Sequence, residues 1–141
     1  MASFTSEEII QATGARLLKP AASVSFSDVC TDTRAIAQGS HFVGQALAAG
    51  AVGAVVSEVR PEYEGLTAPL FVVADTLKAY QDLARFHRRR FAIPVVAVTG
   101  SVGKTSTRNM IATVLSEKYK VLQTEKNFNN EIGLPKTLLQ L

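Results

Sequence analysis

The sequence predicts an α/β fold. A small N-terminal α/β domain over residues 1–90 is followed, over residues 91–141, by the opening βαβ unit of a P-loop-type mononucleotide-binding domain. Three observations carry this reading. Short apolar runs alternate with amphipathic stretches through the first 90 residues. A continuous apolar run, Val95-Val96-Ala97-Val98, delivers the chain into Gly100-Ser101-Val102-Gly103-Lys104-Thr105. A helical pattern and a second β-prone run come directly after that loop.

The elements follow in order. Thr5 with Glu8 forms a capping-box pattern ahead of Ile9 and Ile10, and Gly14 ends that first helix. Val24 to Cys30 reads as one or two brief strands leading into the polar turn Thr31-Asp32-Thr33-Arg34. A small-residue helix is expected from Phe42 to Ala49. Buried strands are expected from Ala51 to Ser57 and from Leu70 to Ala74, joined by a loop containing Pro61, Gly65 and Pro69. Asp75 caps a helix with Leu77, Tyr80, Leu83 and Ala84 at spacings of three and four, ending in Arg88-Arg89-Arg90, where cations complement the helix dipole. The domain boundary is expected between Arg88 and Ile93. Beyond it come the strand at 95–98, a helix from Thr105 to Tyr119 with Met110, Ile111, Val114 and Leu115 on one face, and a strand from Lys120 to Thr124. The 51 residues after Arg90 are too few to close a doubly wound sheet, so the chain is expected to hold only the start of its second domain.

Composition sets the class. Of 141 residues, 47% are apolar and 19% charged, the balance of a chain that buries a core. The single cysteine, Cys30, rules out an internal disulfide and a thiolate metal cluster. No basic patch followed by an apolar stretch opens the chain, and no window approaches the roughly 20 apolar residues of a membrane span. A cytoplasmic protein without a membrane span is expected. The net charge of +3 is uneven: residues 1–84 hold 5 basic and 9 acidic side chains, residues 85–141 hold 10 and 3. A triphosphate ligand accounts for the basic half as well as nucleic acid does. The arginine run lacks the aromatic platform of a nucleic-acid site, so no nucleic-acid partner is expected. Cys30 is expected in the core, His87 on a helix surface, and His41 in a loop or at a helix start.

The chemistry is concentrated in the loop. Glycines let successive N–H groups turn inward around an anion, and the following helix aims its positive dipole end at the same point. The nucleotide-binding residues are Gly100, Ser101, Val102, Gly103, Lys104, Thr105 and Ser106. Lys104 is placed to reach the outer phosphates and the Thr105 hydroxyl to join a Mg²⁺ shell, which makes these two the catalytic candidates. The loop is G-x-x-G-K-T, with Val98 where the longer phosphate-loop pattern has glycine. A second cluster, Asn127-Phe128-Asn129-Asn130-Glu131-Ile132-Gly133-Leu134-Pro135, follows the second strand. Its asparagines either cap the helix that Pro135 opens or line a ligand at a strand end.

Val95 to Thr107 and Thr124 to Leu139 together resemble the Mur ligases, and the asparagine cluster is similar to that of the branch adding a dipeptide. Asp32-Thr33-Arg34 resembles the family's N-terminal D-[ST]-R turn, and Gly50 to Val56 its core strand. The resemblance implies an ATP- and Mg²⁺-dependent ligase of three domains. In it, UDP-N-acetylmuramoyl-tripeptide is activated as an acyl phosphate and D-Ala-D-Ala attacks, a step in peptidoglycan precursor synthesis. It further implies substrate-binding roles for Asp32, Thr33, Arg34, Asn127, Asn129 and Asn130. Two departures stand out. Gly39-Ser40 runs straight into His41-Phe42, where the family has a further short strand and a glycine-containing loop, and the chain ends before the groups expected for a second metal. Turnover by these 141 residues alone is not expected. The alternatives are a related ligase (one adding the third residue, or a folylpolyglutamate synthase), a small P-loop kinase or GTPase, and a non-catalytic nucleotide-binding module.

Overall fold

The computed structural model describes residues 2–19, 24–27, 29–30, 43–124 and 130–141. The Asp32-Thr33-Arg34 turn, the Ser40–His41 junction, Asn127 and Asn129 lie outside the described residues.

The chain opens with β1 (Phe4–Thr5) and α1 (Ser6–Thr13). The capping box is formed: Glu8 N–H donates to Thr5 Oγ1 at 3.2 Å, and Thr5 N–H donates to Glu8 Oε2 at 2.9 Å. Gly14 stops the helix in the left-handed region at φ +68°, its N–H returning to Ile10 O at 2.8 Å. Next come β2 (Arg16–Leu18), β3 (Ser25–Phe26), α2 (Val43–Ala48) and β4 (Ala54–Val56). A 3₁₀ turn (Pro61–Tyr63), β5 (Leu70–Val72) and α3 (Thr76–Arg88) follow. Asp75 Oδ1 caps α3, accepting from Leu77 N at 2.8 Å and Lys78 N at 3.0 Å.

β5 is the centre of a three-stranded sheet, antiparallel to β2 and parallel to β4 (Phe71 opposite Leu17 on one side and Val55 on the other). β1 and β3 form a separate antiparallel pair, with Phe4 opposite Phe26. Alternation along β5 sends neighbouring residues to opposite faces. Phe71 joins Phe4, Ile9, Phe26, Tyr80, Leu83 and Ala84 beneath α1 and α3, and Leu70 joins Val43, Val56 and Tyr63 on the other side. β4 is shorter than the predicted strand, matching the three residues of β5 it pairs with, and Gly53 just ahead of it passes hard against the core. A Cβ there would lie 2.8 Å from Phe26 Cε1 and 3.0 Å from Pro69 O.

Lys19, at φ +62°, folds its ammonium onto three carbonyls: Tyr63 O at 2.7 Å, Glu64 O at 2.6 Å and Leu66 O at 2.7 Å. The arginine run is structural at two of its three positions. Arg88 donates to Phe91 O at 2.6 Å and Ile93 O at 2.8 Å, tying down the chain as it leaves α3. Arg90 pairs with Glu8 at 2.7 Å, donates to Ser3 O at 2.8 Å, and lies over the rings of Phe4 and Phe86.

Beyond residue 91 the sequence reading needs correction. Neither 95–98 nor 120–124 forms a hydrogen-bonded ladder, and Val95 and Val96 are 62% and 60% exposed. A strand exists only with a neighbour, and among the described residues neither run has one. The helix that follows, α4 (Lys104–Ser116), leaves Met110 and Val114 exposed, with Ile111 and Leu115 half-buried. The last helix, α5 (Gly133–Leu138), begins two residues before Pro135 and packs on α3. Ala2 N–H donates to Leu139 O at 3.0 Å, and Gln81 Nε2 donates to Glu131 O at 3.2 Å. Two lone residues also differ from expectation: Cys30 is exposed, and His87 is buried. Tyr80, Leu83, Ala84 and His87 continue one helical stripe, which carries His87 to the inside. Among the described residues no helix is long and apolar enough to cross a membrane.

Candidate nucleotide-binding site

The loop geometry is set by its two glycines. Gly100 has φ +145° and Gly103 φ +78°, ψ 0°, conformations that side-chain-bearing residues rarely adopt. Gly103 stands at the N-cap of α4, and the first helical bond runs from Thr107 N to Gly103 O at 2.9 Å. No side chain caps this end. In α1 and α3 an oxygen of Thr5 or Asp75 accepts from the first-turn amides, and before α5 Asn130 Oδ1 accepts from Gly133 N at 2.7 Å and Ile132 N at 3.3 Å. The α4 terminus is left with donors and a positive dipole end, the arrangement that attracts an anion.

Lys104, half-buried, bends its ammonium back over the loop and donates to Gly100 O at 2.5 Å. A cation is thereby held against the loop that precedes α4. Ser101, Val102, Thr105 and Ser106 are exposed, Val102 to 92%, so the loop's outer surface is open to a ligand. One turn after Lys104, Arg108 donates to Thr124 Oγ1 at 2.8 Å and to Asn109 Oδ1 at 3.2 Å. This residue was missed in the sequence. The signal was its place four residues after Lys104, on the same helical face.

Of the asparagines, Asn130 lies within the described residues, and its Oδ1 accepts from the backbone of Ile132 and Gly133 at the approach to α5, whose own N-cap residue, Ile132, makes no side-chain cap. A cavity of about 410 Å³ lies elsewhere, between α1 and α3, lined by Gln11, Asp82, Arg85, Phe86, Arg89 and Arg90. Its Asp82 is shared by Lys78 and Arg85, and its Arg90 is held by Glu8, so most of its charge is already paired.

Residues 98–141, which contain the glycine loop, α4 and α5, match the profile of the Mur ligase middle domain. The UDP-N-acetylmuramoyl-tripeptide–D-alanyl-D-alanine ligase of Synechocystis sp. is 47% identical over 131 residues, covering 84% of this chain and 29% of that protein. The chain belongs to the Mur ligase family. The ligases of the same name from Bacillus subtilis and Escherichia coli are 40% and 39% identical, over 80% and 85% of this chain and 27% and 28% of theirs. The fold agrees with these relatives. A solved structure of UDP-N-acetylmuramoylalanyl-D-glutamyl-2,6-diaminopimelate–D-alanyl-D-alanyl ligase from Acinetobacter baumannii matches all of this Mur ligase chain with a TM-score of 0.83 at 29% identity, over 34% of its own length. The chain thus spans about a third or less of the Mur ligases it matches.

Proposed function

We propose that this chain is the nucleotide-binding front portion of an ATP-dependent, cytoplasmic ligase that joins D-Ala-D-Ala to UDP-N-acetylmuramoyl-tripeptide in peptidoglycan precursor synthesis. The observation that carries the reading is the α4 terminus: an uncapped helix start at a two-glycine turn, with the Lys104 ammonium over it, inside the segment that matches the Mur ligase middle domain. The names of the relatives supply the substrates. Residues 1–90 are assigned to the UDP-substrate domain and 91–141 to the start of the ATP-binding domain, with residues 130–141 returning to pack on the first.

In this reading the amides of Ser101, Val102, Gly103, Lys104, Thr105 and Ser106 bind phosphate oxygens, and Gly100 gives the backbone room to approach them. Lys104 exchanges the Gly100 carbonyl for the outer phosphates, drawing charge from the group transferred. When bound, ATP supplies the phosphoryl group that converts the tripeptide carboxylate into an acyl phosphate open to the dipeptide amine. Among the described residues no three His, Cys, Asp or Glu side chains come together to hold a metal. A Mg²⁺ ion would be held by the Thr105 hydroxyl together with nucleotide oxygens and water. Asp32, Thr33 and Arg34 are assigned to the UDP-sugar, and Asn127, Asn129 and the NH₂ of Asn130 to the substrate beside the loop.

Lys104→Ala is expected to weaken Mg-ATP binding by about 10- to 100-fold, the effect of losing one charge-assisted contact, with the circular dichroism spectrum unchanged. Unaltered affinity by calorimetry would sink the loop assignment. In a full-length ligase containing this segment, ADP release should require both UDP-N-acetylmuramoyl-tripeptide and D-Ala-D-Ala. Release with UDP-N-acetylmuramoyl-dipeptide and a single amino acid, and not with the tripeptide and D-Ala-D-Ala, would assign the chain to a third-residue-adding ligase instead.

A further inference from the structure

His87 is buried in the first core at 4% exposure, and three separate parts of the chain meet at its ring. From β1, Phe4 presents its ring edge-on at 5.9 Å. From the segment that leads from α3 towards the glycine loop, Phe91 does the same at 5.0 Å and 72°. From the C-terminal segment, the backbone of Leu141 lies beside the imidazole, and two residues earlier Leu139 shares the core and accepts from Ala2 N. Neither ring nitrogen completes a hydrogen bond of good geometry.

We infer that His87 is a proton-sensitive latch. Uncharged, it packs as an aromatic plug that holds β1, the 91–93 segment and the C-terminal segment together. Protonated, it drives them apart.

Burial decides the sign, and the charges around the ring adjust it. Just past the end of its own helix, Arg90 stands three residues on, with its guanidinium over Phe4 and Phe86, and disfavours a second cation. Arg88 is occupied by Phe91 O and Ile93 O. From α1 Glu8 faces Arg90 at 2.7 Å and offsets part of its charge. The Leu141 backbone favours protonation, an influence second only to burial and larger than that of Arg90. Burial is the largest influence and, with Arg90, holds the imidazole below its ordinary value of 6.5. The opened state takes up the proton more readily than the closed one. The latch is therefore at full strength above about pH 6.5, weakens as pH falls below that, and loses no further strength once pH passes below the lowered value of the closed form.

The test is proton NMR and amide exchange on the 141-residue chain between pH 4.5 and 8 (roughly the range in which an imidazole titrates), with His41→Gln leaving a single imidazole signal. The His87 midpoint should fall below 6.5. The protection factors of the Ala2 and Phe91 amides should drop about tenfold per pH unit through that window, one proton per opening. The Val73 amide, bonded to Val56 O in the sheet, should hold. In His87→Phe the Ala2 and Phe91 protection should become independent of pH over the same range. A midpoint at or above 6.5, or protection that stays flat across the His87 titration in the His41→Gln protein, overturns the latch whether or not His87→Phe folds.

Discussion

α3 and α4 are both thirteen residues long, and they are held in place in opposite ways. α3 starts on an aspartate cap and buries Ala79, Tyr80, Leu83, Ala84 and His87. α4 starts on a bare glycine and buries Ala112. The first helix is secured by packing, and the amides of Leu77 and Lys78 at its start are taken by the Asp75 cap. The second has no side-chain cap and rests little on the core. A helix that offers its N-terminus to an anion, as proposed for α4, cannot also commit those amides to a cap.

The largest expected contrast is between core and surface truncations in the two helices. Leu83→Ala in α3 should cost about 2–5 kcal/mol, and Val114→Ala in α4 less than about 0.5 kcal/mol, in urea unfolding. Comparable costs would show that α4 is packed after all. A smaller effect should come from nucleotide. At Mg-ATP about 100 times its dissociation constant, amide exchange in α4 should slow by up to about 2.7 kcal/mol in opening free energy, with α3 unchanged. Equal slowing in both would mean that the two helices open as one unit. The smallest effect concerns α1, whose cap is a threonine and a carboxylate. Thr5→Ala should cost about 1 kcal/mol. The Thr5 backbone N–H, and then Arg90, hold Glu8 below its ordinary value of 4.5. A carboxylate so lowered contributes stability above pH 4.5 that is lost as pH falls through the folded value, and Glu8→Gln should remove that acid-dependent part. A melting temperature with the same acid dependence in Glu8→Gln and in the parent chain would place the acid response elsewhere.

What was legible in the sequence is what local chemistry decides. Thr5 with Glu8, Gly14 and Asp75 marked helix ends because each acts on backbone within a few residues of itself. The turn at Gly100–Gly103 and the helix start after it were legible for the same reason, since the two glycines define them. The runs at 95–98 and 120–124 have the composition of strands, but pairing needs a neighbour that composition does not specify. β2 was missed because Arg16, Leu17 and Leu18 are too few to show alternation, and β5 gives them their structure. His87 was legible in principle, four residues after Leu83 on an apolar stripe. Its polar atoms argued for the surface, and the ring edges of Phe4 and Phe91, distant in sequence, reverse that.

Lys19 behaves like an ion tethered by a side chain. Three carbonyls converge on one nitrogen, a coordination that a free monovalent cation would otherwise satisfy, and the turn around Tyr63 is closed by it. Glycine or asparagine would suit the backbone at φ +62° better but would leave that cage without its centre. Arginine would keep the charge and spread it over a flat fork, which cannot bring three oxygens to a single point. Acylation of this amine would replace a cation with three N–H donors by a bulkier neutral amide with one, leaving two of the three carbonyls without a donor, so a lysine reagent acting here unties a turn and not merely a charge.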